Sequence, residues 1–574
     1  MIKAREKKWM VYAKKADFKK LSQKYGMDQV IMRILRNRDL NTDEEINLYL
    51  NGGIGDIYDS SLLPDAKKAI DILKENIDAG NRIRVVGDYD IDGVCATYIL
   101  SSVLKKISAN ADYAIPDRVK DGYGINRSIV DKAIKDGVNL IITCDNGIAA
   151  IEELSYAALH GIKVIVTDHH DVRLDESGNE QIPVADAVVN AKLKKSQYPC
   201  SDICGAVTAW KLSELLLLEY GFPFEDWLAF SEFAAIATVG DVMKLVGENR
   251  IIVREGLRRI NEGSFNLGLR KLIEKCDING KKINTYHIGF IIGPCINAGG
   301  RLESAELAMK LFMSETEAEA EHYAMKLKLL NDERKAMTER GMADAEKIVE
   351  ETEYERQVLV IYLPELHESL AGIVAGRVKE KYGKPAFVIT DSEDGCKGSG
   401  RSIEAYHMFD ALCKVSDLLE KFGGHPMAAG LSLKKENVNK LRERLNEEAG
   451  LKEEDFVQKL MIDCAMPIGY ISAKLIEELD VLEPFGPGNE KPVFAVKNVL
   501  LTDKRILGKN RNVLKLIVRD ESGSSVQGVF FGTAEEMNDI LVNDSPASIL
   551  YYPQINEFNG RRTLQIVLNE VRFN

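Results

Sequence analysis

Short apolar runs that end at polar clusters recur through the first half of the chain. Residues 83–86, 140–142 and 164–166 are such runs, and helical patterns separate them between residue 81 and about residue 245. Runs this short are typical of buried strands, and strands that alternate with helices predict a parallel sheet built from βαβ units. The polar residues that follow the runs should then meet at one edge of that sheet, where α/β proteins bind their ligands.

Two other segments have helical patterns. Residues 1 to about 80 are mostly helical, and Thr42 with Glu45 forms a capping sequence. Residues 304–351 contain no proline and only one glycine, Gly341, which predicts a long helix. If ~36 of these residues formed one helix, it would reach ~54 Å. Such a helix is either an amphipathic element packed on one domain or a rigid spacer between two lobes, and the two interpretations are compatible.

The second half of the chain contains two further segments with different patterns of strand-like runs. Residues 355 to about 450 contain the strand-like runs 358–362 and 387–389 and predict a second α/β unit. From about residue 460 onward, short strand-like runs separated by turn signals predict a small β-barrel. Those runs are 513–518, 526–531, 549–552 and 564–567.

These patterns predict a multidomain α/β protein with a C-terminal β-barrel, because 574 residues are too many for one hydrophobic core. The predicted parts are an N-terminal helical segment (1–75), a parallel-sheet domain (76–303), a connecting helix (304–353), a second α/β domain (354–450) and a β-barrel domain (458–574).

Composition and charge narrow the class of protein. The chain is 45% hydrophobic and 29% charged, with a net charge of −13. This balance argues against a basic coat but does not exclude nucleic acid, because local grooves determine phosphate binding. No apolar run approaches the ~20 residues that cross a bilayer, and the N-terminus lacks the apolar core of a signal peptide, so we expect no membrane association. Nine cysteines without CxxC spacing indicate reduced thiols and a cytoplasmic protein.

Three carboxylates, Asp88, Asp90 and Asp92, follow the first apolar run at alternate positions. Alternate residues of an extended chain point the same way, and three adjacent carboxylates repel one another unless a cation lies between them. A solvated acidic loop is the alternative interpretation. Hard oxygen ligands with histidine and no cysteine cluster favour Mn²⁺ or Mg²⁺ over structural zinc.

The later runs end at residues of the same chemical kind. Asp145 follows the second run, although the two residues after it are equally typical of a simple turn. His169 and His170 follow the third run beside Asp168, and a histidine pair in this setting favours ligands over core or cap residues. Asp241 completes the set. A two-metal site of this composition would hydrolyse phosphoesters.

Eleven motifs in fixed order carry a family resemblance. They are GDYDIDGVCAT (87–97), PDRVKDGYGI (116–125), TCDNGI (143–148), TDHHD (167–171), CGAVTAWKL (204–212), GDVMKLVGENR (240–250), GPCINAGGRLESA (293–305), LHESLAGIVAGR (366–377), GSGRS (398–402), FGGHPMAAGL (422–431) and LEPFGPGNEKPVF (482–494). Together they resemble the DHH phosphoesterase superfamily and, within it, the RecJ family of single-strand-specific 5′→3′ DNA exonucleases. The resemblance implies a DHH parallel-sheet lobe and a DHHA1 α/β lobe joined by a long helix, with an OB-fold as the β-barrel.

The resemblance also assigns roles to the acidic motifs. The implied ligands of two divalent ions, Mn²⁺ or Mg²⁺, are Asp88, Asp90, Asp92, Asp145, His169 and Asp241. Asp145 would bridge the ions, with the first two aspartates on one ion and the remaining three ligands on the other. His170 would face the substrate phosphate, so Asp145, His169 and His170 are the expected catalytic residues.

Phosphate-binding groups are implied in both lobes. Ser399 and Arg401 lie in a glycine-rich segment that would let a phosphate approach the backbone, while the arginine offers a bidentate fork. A plain Gly/Ser turn is the alternative interpretation. Arg118 and Arg301 are further phosphate-binding candidates, and His425 is expected near the cleft or in a structural role.

The predicted barrel concentrates positive charge against the trend of the chain. The expected DNA-binding residues are Lys504, Arg505, Lys509, Arg511 and Lys515, with Arg519 adding to the same charge. A solvated strand face is the alternative interpretation. The aromatic residues Phe530, Phe531, Tyr551 and Tyr552 would either stack on bases or face the core.

Taken together, the resemblance implies a metal-dependent exonuclease that degrades single-stranded DNA to mononucleotides in DNA repair and recombination. A cyclic-dinucleotide or oligonucleotide phosphodiesterase of the same superfamily is one alternative, although it would not need residues 460–574. A non-catalytic replication scaffold is the other, although the ligand set is complete. Single-stranded DNA is the expected partner; the resemblance adds a single-strand-binding protein and a helicase, and we expect a monomer.

Overall fold

A computed structural model describes residues 7–118, 120–393, 395–508, 511–558 and 560–574. These residues form two compact units. One unit is Ile54–Val457, and the other combines Lys7–Gly53 with Gln458–Asn574.

Strands occur in both units. In chain order they are β1 (Lys7–Val11), β2 (Ile83–Val86), β3 (Ala111–Ala114), β4 (Leu140–Cys144), β5 (Lys163–Thr167), β6 (Ala187–Val189), β7 (Leu359–Tyr362), β8 (Ala386–Ser392), β9 (Gly395–Arg401), β10 (Lys421–His425), β11 (Ala428–Leu433), β12 (Gln458–Ile462), β13 (Cys464–Ala465), β14 (Phe494–Leu507), β15 (Val513–Arg519), β16 (Ser525–Phe531), β17 (Ala547–Phe558) and β18 (Arg561–Phe573).

Helices connect and cover these strands. They are α1 (Phe18–Tyr25), α2 (Gln29–Asn37), α3 (Asp43–Asn51), α4 (Ala66–Asp78), α5 (Ile91–Lys106), α6 (Arg127–Lys135), α7 (Ile151–Leu159), α8 (Gly205–Glu219), α9 (Phe224–Leu228), α10 (Ser231–Gly240), α11 (Gly247–Glu262), α12 (Leu267–Lys275), α13 (Thr285–His287), α14 (Gly293–Leu302), α15 (Glu306–Met313), α16 (Glu317–Ile348), α17 (Ala371–Tyr382), α18 (Met408–Lys414), α19 (Val438–Glu447), α20 (Ala473–Asp480) and α21 (Ala534–Val542).

The first sheet is parallel throughout, with strand order β3-β2-β4-β5-β6. Its two faces are both covered, because Val85 and Ile142 belong to one buried cluster while Val86 and Ile141 belong to another. All four residues of β2 are buried, and the one charged residue among them, Arg84, is paired with Asp112 and Asp136. The predicted parallel sheet is therefore confirmed, and it has helices on both sides.

A second sheet lies in the same unit, with strand order β10-β11-β9-β8-β7 and only the β7–β8 pair parallel. Helix α16 has 32 residues, about 48 Å at ~1.5 Å per residue. It packs against α12, α14 and α15 near the first sheet and against α17 near the second. The predicted long helix is thus both packed along its length and a connection between the two sheets.

The second unit contains the predicted β-barrel. Strands β14, β15, β16, β18 and β17 follow one another, and a further pairing between β14 and β17 closes the circle. Alternation along β15 buries Leu514, Leu516 and Val518, which fill the interior. This architecture is the one expected of an OB-fold.

Residues 7–53 belong to this second unit, which the sequence patterns did not indicate. Strand β1 pairs in parallel with β12, 451 residues later, from Lys7 opposite Gln458 onward. Ile31 and Ile34 of α2 lie in the same buried cluster as Ile549 of the barrel. Barrel residues distant in sequence cover part of the apolar face of α2. Local patterns therefore predicted the helix but not the barrel against which it packs.

The capping sequence at Thr42 is confirmed. The Thr42 hydroxyl accepts a hydrogen bond from the Glu45 amide at 3.2 Å, and the Glu45 carboxylate accepts one from the Thr42 amide at 2.9 Å. Within the described ranges, no helix combines the length and apolar character needed to cross a membrane.

Candidate active site

Three of the acidic and histidine motifs begin where strands of the first sheet end. Strand β2 pairs with β3 on one side and with β4 on the other, so successive connections leave it in opposite directions. That reversal opens a crevice at the carboxyl ends of β2 and β4, which is where open α/β sheets bind ligands. Asp88 and Asp90 follow β2, Asp145 follows β4, and His169 follows β5.

The first motif turns from strand to helix within five residues. Asp90 caps α5, and its Oδ1 accepts hydrogen bonds from the amides of Asp92 at 3.0 Å and Gly93 at 3.1 Å. Asp88 is fully buried, and its Oδ1 accepts from the Gly124 amide at 3.2 Å. A Cβ at Gly93 would lie 2.6 Å from the Asp88 backbone, so the turn needs glycine there.

Asp92 is held by the start of another helix. Its two carboxylate oxygens accept hydrogen bonds from the amides of Gly205 and Ala206, each at 2.7 Å, at the first turn of α8. Free amides and the helix dipole stabilise a negative charge at this position. The chain therefore fixes one carboxylate of the cluster without using a side-chain donor.

Asp145 adopts a backbone conformation that aspartate rarely takes, with φ of 61°. Such strain persists only where the surroundings enforce it, and it concentrates at functional sites. The neighbour that encloses it is Gly205, where a Cβ would lie 2.5 Å from the Asp145 Cβ. Tyr123 donates its hydroxyl to the Asp145 carbonyl at 2.7 Å, which holds the strained peptide from the other side.

His169 points its Nε2 into the carboxylates. That atom lies 3.1 Å from Asp145 Oδ1, 3.5 Å from Asp92 Oδ2 and 3.7 Å from Asp241 Oδ2. Burial lowers the pKa of His169, which favours the neutral imidazole that ligates metals. Asp241 reaches the cluster from the end of α10.

His170 is oriented by Asp168, which sequence reasoning did not assign a role. Asp168 is buried and accepts hydrogen bonds from the His170 ring at 2.8 Å and from the His169 amide at 2.7 Å. Burial acts to lower the pKa of His170, but the Asp168 hydrogen bond and nearby carboxylates outweigh it and raise this pKa to about 9. With 41% of its side chain exposed, His170 is available to a ligand in the crevice.

Without a cation, ionised carboxylates in this cluster are destabilised by burial and by repulsion from one another. Burial, followed by repulsion from Asp92, raises the pKa of Asp145 well above the usual range and that of Asp241 to about 8. Burial and Asp90 do the same to Asp88. Among the described residues, the buried atoms Asp88 Oδ2 and Asp145 Oδ1 make no hydrogen bond, although buried polar atoms normally do.

The residues present fit two divalent cations. Donor atoms of Asp88, Asp90 and Asp145 lie within 4.8 Å of one another, and so do those of Asp92, His169 and Asp241. A third such group is Asp145 with His169 and His170. Oxygen donors with one imidazole suit Mn²⁺ or Mg²⁺, and a cation in each group would satisfy the unpaired buried oxygens.

Three arginines gather near the crevice within the same unit. Burial, and then the charge of Arg118, lower the pKa of Arg301 to about 9 and also lower that of Arg401. Cations that crowd together in this way are typical of an anion site. Arg401 donates to the Ser399 hydroxyl at 3.0 Å, and a Cβ at Gly372 would collide with both side chains.

Helix α14 connects Arg301 to the acidic motif. Asn297 accepts the Ile91 amide at 2.8 Å, and a Cβ at Gly300 would lie 2.5 Å from the Tyr89 carbonyl. Arg301, on the same helix, donates to the Ser369 carbonyl at 2.7 Å. The helix therefore contacts the first lobe at Ile91 and the second lobe at Ser369.

His425 lies on the exposed edge strand β10 opposite Ala428, which in turn lies opposite Arg401 of β9, and its charge acts on Asp171. In the barrel, Lys504 is paired with Asp544 at 2.8 Å and its side chain is only 7% exposed. Arg505, Arg511 and Arg519 are exposed and Lys515 is half-buried. Lys509 lies outside the described residues.

The aromatic residues of the barrel separate into two kinds. Phe530, Tyr551 and Tyr552 are buried in its core, so they face inward. Phe531 is 59% exposed and lies opposite Val513, beside the strand that carries Lys515.

Asn146 is a further residue that sequence reasoning interpreted only as part of a turn. Its amide donates to the carbonyls of Val86 at 3.0 Å and Cys144 at 2.9 Å, and its oxygen accepts from the Ile125 amide at 3.1 Å. It thereby joins the ends of β2 and β4 across the crevice. In the sequence, only its position next to Asp145 indicated that Asn146 belongs to the site.

We predict that Gly205→Ala weakens Mn²⁺ binding by at least ~10-fold, because the new Cβ displaces Asp145 and disturbs the amides that hold Asp92. Isothermal titration of the metal-free chain with Mn²⁺ measures this loss. Gly55→Ala is the matched control, since nothing lies within 4 Å of a Cβ there. Equal Mn²⁺ affinity in both variants would contradict the role given to Gly205.

Comparisons with known proteins indicate the family to which this chain belongs. Family models match over three segments: the DHH family N-terminal domain over residues 82–240, the DHHA1 domain over 355–450 and the RecJ OB domain over 462–570. The single-stranded-DNA-specific exonuclease RecJ of Bacillus subtilis is 36% identical over 96% of this chain and 69% of its own length. That of Escherichia coli is 31% identical over 94% of this chain and 95% of its own length.

A solved structure agrees over nearly the whole chain. The crystal structure of RecJ from Thermus thermophilus in complex with Mn²⁺ has a TM-score of 0.84 and 27% identity, covering 99% of this chain and 80% of that one. The same protein with Mg²⁺ gives a TM-score of 0.77. From its domain models, its relatives and its fold, this chain belongs to the RecJ family of the DHH superfamily.

Proposed function

We propose that this protein is a metal-dependent exonuclease that hydrolyses single-stranded DNA from the 5′ end. The observation that carries the proposal is the pair of donor groups around Asp145, which meet beside an exposed histidine and a group of arginines. Membership of the RecJ family supplies the substrate class, because the relatives are single-stranded-DNA-specific exonucleases.

The proposed ligands divide between the two groups. Asp88, Asp90 and Asp145 would hold one ion, and Asp92, His169 and Asp241 the other. Bound there, Mn²⁺ or Mg²⁺ would supply an activated water and would stabilise the charge on the leaving oxygen. Helix-terminal amides keep Asp92 in place, while the enforced backbone at Asp145 aims its carboxylate between the two groups.

His170 is proposed to hold the scissile phosphate. The hydrogen bond to Asp168 favours the protonated ring, which would donate a charge-assisted hydrogen bond to a phosphate oxygen. Asp168 fixes the ring from behind, so the donor needs little reorganisation when substrate binds.

Arg118, Arg301 and Arg401 are proposed to bind the terminal phosphate, with Ser399 as a hydroxyl donor. Their mutual repulsion is relieved when an anion lies among them, so a 5′ phosphate gains more there than an internal diester does. Binding the end of the chain next to the metal groups would release mononucleotides in the 5′→3′ direction. His425 is a further candidate, since it lies in the same row of the second sheet as Arg401 and its charge acts on Asp171.

The OB domain is proposed to bind single-stranded DNA. Arg505 and Lys515 lie opposite each other on β14 and β15, with the exposed Phe531 nearby for base stacking. Arg511 and Arg519 extend the charge, whereas Lys504 is occupied by Asp544. A role in DNA repair and recombination, a cytoplasmic location, a monomeric state, and interaction with a single-strand-binding protein and a helicase are further proposals, supported by the resemblance alone.

We predict that the chain with Mn²⁺ releases mononucleotides from the 5′ end of a 5′-phosphorylated single-stranded oligonucleotide and leaves a blunt duplex intact. Label at each end, in separate reactions, gives the direction. Asp145→Asn should reduce the rate by at least ~1,000-fold, because the shared ligand loses its charge. Gly55→Ala serves as the active control.

Other products would replace the proposal. Cleavage confined to dinucleotides or very short RNAs would favour the small-substrate phosphodiesterase. A chain that binds single-stranded DNA and Mn²⁺ but cuts neither class would favour the scaffold.

We predict that the double variant Arg505→Gln/Lys515→Gln weakens single-stranded DNA binding and flattens its salt dependence. Removing two phosphate contacts should reduce the slope of log K against log[salt] by ~1.4, at ~0.7 per contact. Fluorescence anisotropy in EDTA measures binding without cleavage. Lys497→Gln is the control, being exposed on the same strand eight residues before Arg505. An unchanged slope in the double variant would assign the charge to a solvated strand face.

A further inference from the structure

Two cysteines outside the metal groups lie in direct contact. Cys276 follows the last turn of α12 and is partly exposed, and Cys295 is buried in α14. Their Sγ atoms are 3.7 Å apart. All nine cysteines are reduced in the structure, so this contact is between two thiols.

We propose that Cys276 and Cys295 form a peroxide-sensitive dithiol whose oxidation to a disulfide displaces α14. The thiols are already neighbours, and neither has a part in the proposed chemistry of the active site. Disulfides in reducing compartments are usually transient and sense redox state, which is the behaviour proposed for this pair.

The surroundings make Cys276 the reactive thiol. The hydrogen bond with Cys295 is the largest influence that lowers the pKa of Cys276, and the charges of Lys328 and Lys335 on α16 lower it further. The same hydrogen bond, and then burial, raise the pKa of Cys295. A partly exposed thiolate is the form that reacts with peroxide, whereas a buried thiol is protected.

The reaction balances with hydrogen peroxide as the oxidant. The Cys276 thiolate attacks one peroxide oxygen, the O–O bond breaks, and after proton uptake a sulfenic acid and one water are formed. The Cys295 sulfur then attacks the Cys276 sulfur, the S–O bond breaks, and a second water leaves with the Cys295 proton. Two thiols lose two electrons and the peroxide gains them; a thiol reductant reverses the change.

Helix α14 is where this bond would affect function. A disulfide needs the sulfur atoms at ~2.05 Å, so they must approach each other by roughly 1.6 Å from the observed 3.7 Å. Cys295 lies two residues before Asn297, which holds the Ile91 amide, and six before Arg301. A shift of ~1 Å in positioning groups can cost ~100-fold in rate. Cys295 Sγ also accepts a hydrogen bond from the Asn331 side-chain amide at 3.2 Å, so the disulfide would also disturb this contact with α16.

The proposal is tested first without any nuclease assay. The full chain is treated with hydrogen peroxide in EDTA, quenched with catalase, alkylated and digested with trypsin without reduction. The two cysteines fall in separate tryptic peptides, residues 276–281 and 283–301. We expect mass spectrometry to find these peptides cross-linked, and to find them separate after dithiothreitol. Oxidation of the exposed Cys413 without this cross-link would overturn the proposal.

The effect on activity rests on the proposed exonuclease function. After Mn²⁺ is added, the oxidised chain should degrade single-stranded DNA at least ~10-fold more slowly than the reduced chain and recover with dithiothreitol. Cys276→Ser should keep full activity and lose the response to peroxide, whereas Cys413→Ser should keep the response. A cross-linked chain with unchanged activity would refute the effect on α14. An inactive reduced chain would refute the exonuclease instead, and the cross-link would still decide the cysteine pair.

Discussion

Repulsion among buried carboxylates is the constraint on which the rest of this structure depends. Asp88, Asp92 and Asp145 are almost fully enclosed, and unpaired oxygens of two of them face the interior. Interactions of the backbone hold these groups together against their repulsion. They are the cap of α5, the amides of α8 and the strained peptide at Asp145. A cation in each donor group would turn this cost into binding free energy.

Function follows from where the sheet places that cluster. The reversal of strand order at β2 and β4 opens the crevice, and α14 carries Asn297 and Arg301 from the acidic motif toward the second lobe. The acidic motif and Arg301 thus both depend on the position of α14. Because Cys295 lies on this helix, a change there would move groups beside the proposed metal site, although Cys295 touches no proposed ligand.

The sequence could predict what local pattern and motif chemistry determine. Apolar runs predicted the parallel sheet, and the residues after them predicted candidate ligands that the fold brings close together. It could not predict that α2 packs on the barrel, because the barrel residues that share its buried cluster are more than 400 positions away. The sequence also predicted that Lys504 is available to bind DNA, whereas it is paired with Asp544. A partner 40 residues distant leaves no local signal in the sequence. The roles of Asn146 and Asp168 depend on hydrogen bonds that only the folded chain reveals.

The most direct test of this account is anomalous diffraction from crystals of the chain grown with Mn²⁺. Two peaks should be found, one contacting Asp88, Asp90 and Asp145, and the other contacting Asp92, His169 and Asp241. A single peak, or peaks away from these groups, would contradict the claim that the buried carboxylates are arranged for two cations.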